Sequence, residues 1–379
     1  MNVPFVDIAR LHRPLRSQFL AAFARVVDSG GYVQGAEVGA LEAEFAALYP
    51  GTEAIAVSNG TAALHLSLVA AGIRPGDEVI TVANTFIATA EAISMAGAIP
   101  VFADIARDGF LVDPGDVERR ITPRTRAIVA VHLYGEIADM PRLRGIAERH
   151  GLRLIEDACQ ALGARQGGRA AGTLADAGCL SFYPTKNIGT VGEGGMVLTA
   201  DPAIAARVRS LRDHGQRGRH VHLEPGFNCR MPELQAAALR VMLPHLDEWN
   251  ERRQGAARRY RQLLGTLACS LPSNGTPGSS HVYHLYVIRS SNRTALRDHL
   301  ESEGIGTAIH YPTPIHLQPA YRSCGNGPGS LPNTERAVSQ ILSLPMHPQI
   351  TDDELAAVAQ AIQRFQPARA TEAALAGSR

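Results

Sequence analysis

Short apolar runs recur along residues 54–199 as AIAVS, EVITV, IPVFAD, RAIVAVH, LRLIED, CLSF and GMVLT. Their length and their Val and Ile content predict strands. Between them, TAALHLSLVAAG, FIATAEAISMAG and DMPRLRGIAERHG have helical length, apolar residues three and four apart, and a closing glycine. The alternation predicts an α/β unit with a large, mostly parallel sheet covered on both faces. A ligand is then expected outside the carboxyl ends of the strands.

From MPELQAAALRVMLPHLDEWNERR onward the pattern turns helical, with Pro244 as a bend. HVYHLYVIR alternates like a strand, and the helix RTALRDHLESEG follows. A proline-rich loop at 311–332 then leads to a last helix near TDDELAAVAQAIQRF. This predicts a small α+β domain, with the chain divided into 1–248 and 249–379. The amphipathic segment RPLRSQFLAAFARVVDSG reads as an N-terminal arm packed on the small domain, and the tail PARATEAALAGSR as frayed.

The 379 residues, 45% of them hydrophobic, suffice for a sizeable core. Lys plus Arg (37) balance Asp plus Glu (36), which gives no electrostatic footprint for nucleic acid or an anionic membrane. The opening MNVPFVDIARLHRPLRS carries Asp7 and no continuous apolar run, so the expected location is cytoplasmic. Five scattered cysteines without a C-x-x-C pair argue against a disulfide framework and a zinc site, and no H-x-x-x-H spacing occurs among the 14 histidines. No metal is expected.

Four segments carry candidate chemistry. SNGTAAL follows a strand and opens a helix, so the N–H groups of Gly60, Thr61 and Ala62 form either an anion site or an ordinary capped end. LRLIEDACQALGA places Glu156 and Asp157 at a strand end, where alternation lets only one face a given pocket. That carboxylate is functional, a helix cap, or half of a buried ion pair. In SFYPTKNIGTVGEGGMV, Lys186 precedes the glycines, the reverse of a phosphate-binding P-loop. A lysine so placed can form an imine when burial or a nearby cation lowers its basicity. FNCRMPELQAA sets Asn228 and Arg230 before a helix, which they cap on the plainest reading. A helix N-terminus for a phosphate, an acid for a ring nitrogen and a lysine for an imine together match what pyridoxal phosphate requires of a protein.

In their order, SNGTAAL, NTFIATAEAI, EDACQALGA, SFYPTKNIGTVGEGGMV, FNCRMPELQAA and HLYVI resemble the DegT/DnrJ/EryC1/StrS aminotransferases, from VPFVDIARL to HYPTPIHLQPAY. The resemblance implies a type I aminotransferase fold, pyridoxal 5'-phosphate as cofactor, and a homodimer with shared active sites. It implies Lys186 as the imine-forming lysine and proton carrier, Asp157 as partner of the pyridinium nitrogen, Gln160 near the ring hydroxyl and Phe86 on the ring face. Gly60, Thr61, Ala62 and Ser181 would hold the phosphate, joined by Asn228 of the second subunit. The implied reaction moves an amino group from L-glutamate, leaving 2-oxoglutarate, to a nucleotide-linked keto sugar.

Tyr183, His310, Tyr311 and His316 are the expected sugar contacts, with Arg217 and Arg219 as further candidates. Tyr183 stands where members acting on the fourth sugar carbon often carry histidine, and it resembles members that aminate a dTDP-linked 3-keto-6-deoxyhexose. GEGG departs from the GDGG of that subgroup, which keeps 4-keto and UDP-linked 3-keto sugars as alternatives. Members that dehydrate carry histidine in place of the lysine, so Lys186 speaks against that activity. The full cofactor set speaks against a purely regulatory role.

Overall fold

The computed structural model describes residues 2–218, 220–265, 269–275, 278–324 and 327–366. Arg219 and the tail expected to fray lie outside these. Each predicted run between 54 and 199 forms a strand: β1 (Glu53–Val57), β2 (Glu78–Val82), β3 (Ile99–Ala103), β4 (Thr125–Val131) and β5 (Arg153–Asp157). A short hairpin, β6 (Arg165–Gln166) and β7 (Arg169–Ala170), precedes β8 (Ala177–Ser181) and β9 (Gly195–Thr199).

Seven strands form one sheet in the order β1-β9-β8-β5-β4-β2-β3. The pairs β2–β3, β2–β4, β4–β5 and β5–β8 are parallel, while β9 is antiparallel to both β1 and β8. Only β9 therefore runs backwards. The carboxyl ends of β1, β2, β4, β5 and β8 share one edge of the sheet. The strands are almost wholly buried, as expected where helices cover both faces.

Helix Glu233–Met242 ends before a short 3-10 turn at Leu243–His245, and helix Leu246–Leu264 resumes beyond it. This is the bend expected at Pro244. Leu246 and Trp249 of the long helix belong to the main core, whereas Ala256, Ala257, Tyr260 and Leu264 join a second core with Leu296, Leu300, Val358 and Ile362.

Two expectations are corrected. The strand read over 281–289 is only β10 (Tyr286–Arg289), paired with β11 (Ile341–Leu344). Tyr283 has a φ of +44°, outside the extended range of a strand, and the carbonyls of Tyr283 (3.2 Å) and His284 (3.3 Å) turn to the buried Arg253. The N-terminal segment meets the elements of the second core by its first residues, through a Val3–Ile305 bridge and an Arg10–Glu354 ion pair at 2.9 Å. Its helix, Arg16–Ser29, instead buries Ala22 and Val26 against Ala237 of helix Glu233–Met242. No helix among the described residues is long and apolar enough to cross a membrane.

Glu233 shows how the helices under the sheet are held. Its buried carboxylate accepts from the N–H groups of Gly35 (2.6 Å) and Glu37 (2.7 Å), capping helix Ala36–Leu48 from a distant part of the chain. Glu233→Ala strands these donors, and urea unfolding should show a loss of about 2–3 kcal/mol. An unchanged midpoint would refute this cap.

Candidate active site

A cavity of about 560 Å³ opens at the carboxyl edge of the sheet. Of the expected residues, Gly60, Thr61, Phe86, Asp157, Gln160, Ser181, Tyr183, Lys186, His310 and Tyr311 line it. A more open groove of about 610 Å³ between Arg10 and Leu355 holds none of them.

Beyond β1, Asn59 caps helix Gly60–Ala70 by accepting from the Ala62 N–H at 2.8 Å. This corrects the reading of Ala62, whose donor is already used. The Gly60 and Thr61 N–H groups keep no protein acceptor among the described residues, so two donors and the positive helix end face the cavity. A Cβ on Gly60 would lie 2.8 Å from the Ser181 Cβ and 3.0 Å from the Cys159 Sγ. Only glycine lets β8 and the helix start close around this corner. Gly195, the first residue of β9, solves a similar problem: a Cβ there would lie 2.3 Å from the Asn59 carbonyl oxygen. Its close approach is thus to the chain itself.

Parallel pairing of β5 with β4 and β8 separates the two adjacent carboxylates. Glu156 is fully buried away from the cavity, 2.8 Å from His132 Nε2, and accepts from the N–H groups of Gly172 (2.7 Å) and Leu174 (2.5 Å). It ties β5 to its neighbours. Asp157 faces the cavity, where Oδ2 accepts from the Thr89 hydroxyl at 2.7 Å and Oδ1 from the Cys159 N–H at 3.2 Å. Gln160 Oε1 accepts from the Tyr134 N–H at 2.7 Å, which turns its Nε2 towards the Tyr311 hydroxyl at 3.4 Å.

Lys186 follows β8 in a turn closed by its own N–H on the Tyr183 carbonyl at 2.9 Å. Burial holds its amine below the usual lysine range, against the opposing pull of Cys159 and Asp157. His310 hydrogen-bonds Ser343 Oγ through Nδ1 at 2.9 Å, and burial, helped by Lys186, lowers its pKa to about 4. Its imidazole is neutral at physiological pH. Phe86 and Tyr183 are 51% and 47% exposed on the cavity walls, and the Phe86 ring lies 5.4 Å from that of Tyr311.

His316 does not reach the cavity: it is buried against Glu335, with Nε2 at 3.2 Å. The prolines around it turn the chain so that His310 faces inward and His316 does not. Asn228 is exposed, pairs with Asp213 through the backbone, and does not line this chain's cavity. Arg230 is paired with Asp213 at 2.9 Å, and Arg217 is exposed.

Sequence reasoning missed Thr89, Glu193 and His284, which also line the cavity. Thr89 is four residues beyond Thr85, and their hydroxyls meet at 3.2 Å, a helical spacing that was available as a signal. His284 was hidden inside an apparent strand. Among the described residues no group of three acidic, histidine or cysteine side chains is placed to hold a metal.

Comparison with known proteins places this geometry. The DegT/DnrJ/EryC1/StrS aminotransferase family model matches residues 14–363. The erythromycin biosynthesis sensory transduction protein EryC1 of Saccharopolyspora erythraea is 47% identical over 93% of this chain and 96% of its own. The dTDP-3-amino-3,4,6-trideoxy-alpha-D-glucose transaminase of Streptomyces venezuelae is 45% identical over 96% of each chain. The crystal structure of S. venezuelae DesV with a ketimine intermediate superposes with a TM-score of 0.93 at 45% identity, over 96% of this chain and 100% of that one. The fold is the type I aminotransferase fold expected from the sequence. With its sequence matched nearly end to end and the same fold, this chain belongs to the DegT/DnrJ/EryC1/StrS aminotransferase family.

Proposed function

We propose that this enzyme is a pyridoxal phosphate-dependent aminotransferase that moves an amino group from L-glutamate to a nucleotide-linked keto sugar, a dTDP-linked 3-keto-6-deoxyhexose fitting best. One observation carries the reading: Asp157, Lys186 and the open N–H groups of Gly60 and Thr61 converge on a single cavity. The same reading divides the chain near residue 248, within the helix that contributes to both cores.

The residues present fit the cofactor. The cradle that excludes a Cβ at Gly60, with two free N–H groups and the Ser181 hydroxyl, suits a phosphate dianion. Asp157 would hold the ring nitrogen, Gln160 Nε2 would face the ring hydroxyl, and Phe86 offers a flat face. Bound there, pyridoxal phosphate supplies an electron sink for the pair released when an amino acid loses its α-proton.

Lys186 Nζ, made less basic by burial, takes a proton from one carbon and returns it to another. Thr89 and the Cys159 N–H fix the Asp157 carboxylate in place, where it would keep a positive charge on the ring nitrogen. Neutral His310 and the Tyr311 and Tyr183 hydroxyls offer hydrogen bonds to sugar oxygens without adding charge. Asn228 is exposed and off this chain's cavity, which fits a homodimer in which a second copy supplies it.

The S. venezuelae transaminase supports the 3-keto assignment, since its name places the amino group on that carbon. Incubation of the loaded enzyme with 2-oxoglutarate and a panel of dTDP- and UDP-linked amino sugars, followed by mass spectrometry, tests the substrate. Deamination of a dTDP-3-amino-6-deoxyhexose ahead of the 4-amino and UDP-linked members is expected; preference for one of those would replace the assignment.

Lys186→Ala should lower turnover by at least about 10²–10⁴-fold through the loss of proton transfer alone. Near-normal turnover would remove Lys186 from its role. Asp157→Asn should cost about 10²–10³-fold in kcat with folding intact. Glu156→Gln should do the opposite, lowering stability by about 1–3 kcal/mol while the protein that remains folded turns over normally. Reversed phenotypes would show that the two carboxylates have been misassigned.

A further inference from the structure

We propose that Asn250 is a positioning residue for this reaction, a buried amide that holds the Lys186 loop and the Asp157–Gln160 loop in one register. Asn250 lies on helix Leu246–Leu264, is 6% exposed, and does not line the cavity. Its Nδ2 donates to the carbonyl of Leu162 at 3.0 Å. Its Oδ1 accepts from Asn187 Nδ2 at 2.7 Å. Leu162 lies two residues beyond Gln160, and Asn187 directly follows Lys186. One side chain therefore joins the two loops that present the reacting amine, the carboxylate and the ring-facing amide.

The surroundings make this joint specific. Asn187 Nδ2 also donates to the carbonyl of Val282 at 3.1 Å, so it must be the donor; the Leu162 carbonyl can only accept, which fixes the orientation of Asn250 as well. A Cβ on Gly163 would lie 2.4 Å from Asn250 Nδ2, and its φ of +87° is one that glycine adopts freely. The chain turns away at Gly163 and leaves room for the amide.

One helical turn on, Arg253 holds the carbonyls of Tyr283, His284 and Met346, and Gln254 holds that of His281 at 3.2 Å. Positions 250, 253 and 254 share a face of the helix. That face gathers three cavity walls: the Asp157 loop, the Lys186 loop and the segment bearing His284. Without the Asn250 amide, the Lys186 loop loses a buried anchor and its amine gains freedom to move towards water. Misplacement by about 1 Å is enough to cost on the order of 100-fold in rate.

The inference rests on Lys186 as the reacting amine, and its main test needs no cofactor. The ligand-free protein is exposed to acetic anhydride over a pH series, and modification of Lys186 is followed by peptide mass spectrometry. In the wild type the midpoint should lie below that of an ordinary lysine. In Asn250→Leu, and in Asn187→Ala, which cuts the joint from the other side, it should rise by about one pH unit or more as the amine regains water. In the loaded enzyme both variants should lose roughly 10–100-fold in kcat with KM little changed.

Thr351→Ala weakens the cap of the last helix away from the cavity, and it should leave the midpoint and kcat at wild-type values. A folded Asn250→Leu or Asn187→Ala with wild-type midpoint and kcat would overturn the proposal. So would the same shift in Thr351→Ala, which would reduce the effect to general stability. Failure of the Lys186 assignment is seen separately, as turnover surviving in Lys186→Ala.

Discussion

Partial burial of a lysine amine favours its neutral form, and Lys186 sits half-buried at the sheet edge, lining the cavity. The sheet makes this possible by direction. Because β9 alone runs backwards, β1 and β8 point the same way, and the start of helix Gly60–Ala70 comes beside Ser181 and Lys186. The donors suited to a phosphate and the amine suited to a carbonyl then share one cavity. Gly60 and Gly195 are two positions at this corner where the backbone approaches so closely that no side chain fits.

The paired carboxylates show how neighbouring residues of one strand acquire different work. Strand alternation turns Glu156 into the core, where His132 and two backbone donors satisfy it. Asp157 is turned outward with one hydroxyl and one N–H fixing its oxygens. A slip of one residue in the β5 pairing would exchange their faces and put the wrong acid in the cavity. The hydrogen bonds of Glu156 thus protect the register on which Asp157 depends.

Much of this was legible in the sequence, because strand length, helix periodicity and punctuation by glycine are local signals. Lys186, Asp157 and Ser181 could be placed at one sheet edge because each lies at a strand end or just beyond it, whereas Gln160 and Phe86 followed from the family resemblance. Long-range partners could not be read. The strand expected at 281–285 is replaced by carbonyls turned to Arg253, a residue distant in sequence. His316 was misplaced because proline-rich backbone carries no period to say which side chains face inward. Ala62 was over-read because Asn59 claims its N–H before any ligand can. Asn250 gave no sign in a helix that reads as polar surface, although its amide spans two loops.

On the proposed function, this cavity binds pyridoxal phosphate through Lys186 and passes amino groups through it. Visible absorbance of the purified protein tests this most directly, after incubation with pyridoxal phosphate and again after addition of L-glutamate. A visible band should appear on loading, be bleached by L-glutamate and return with a dTDP-linked 3-keto-6-deoxyhexose. A protein that stays colourless after incubation, or whose band ignores L-glutamate, would contradict it.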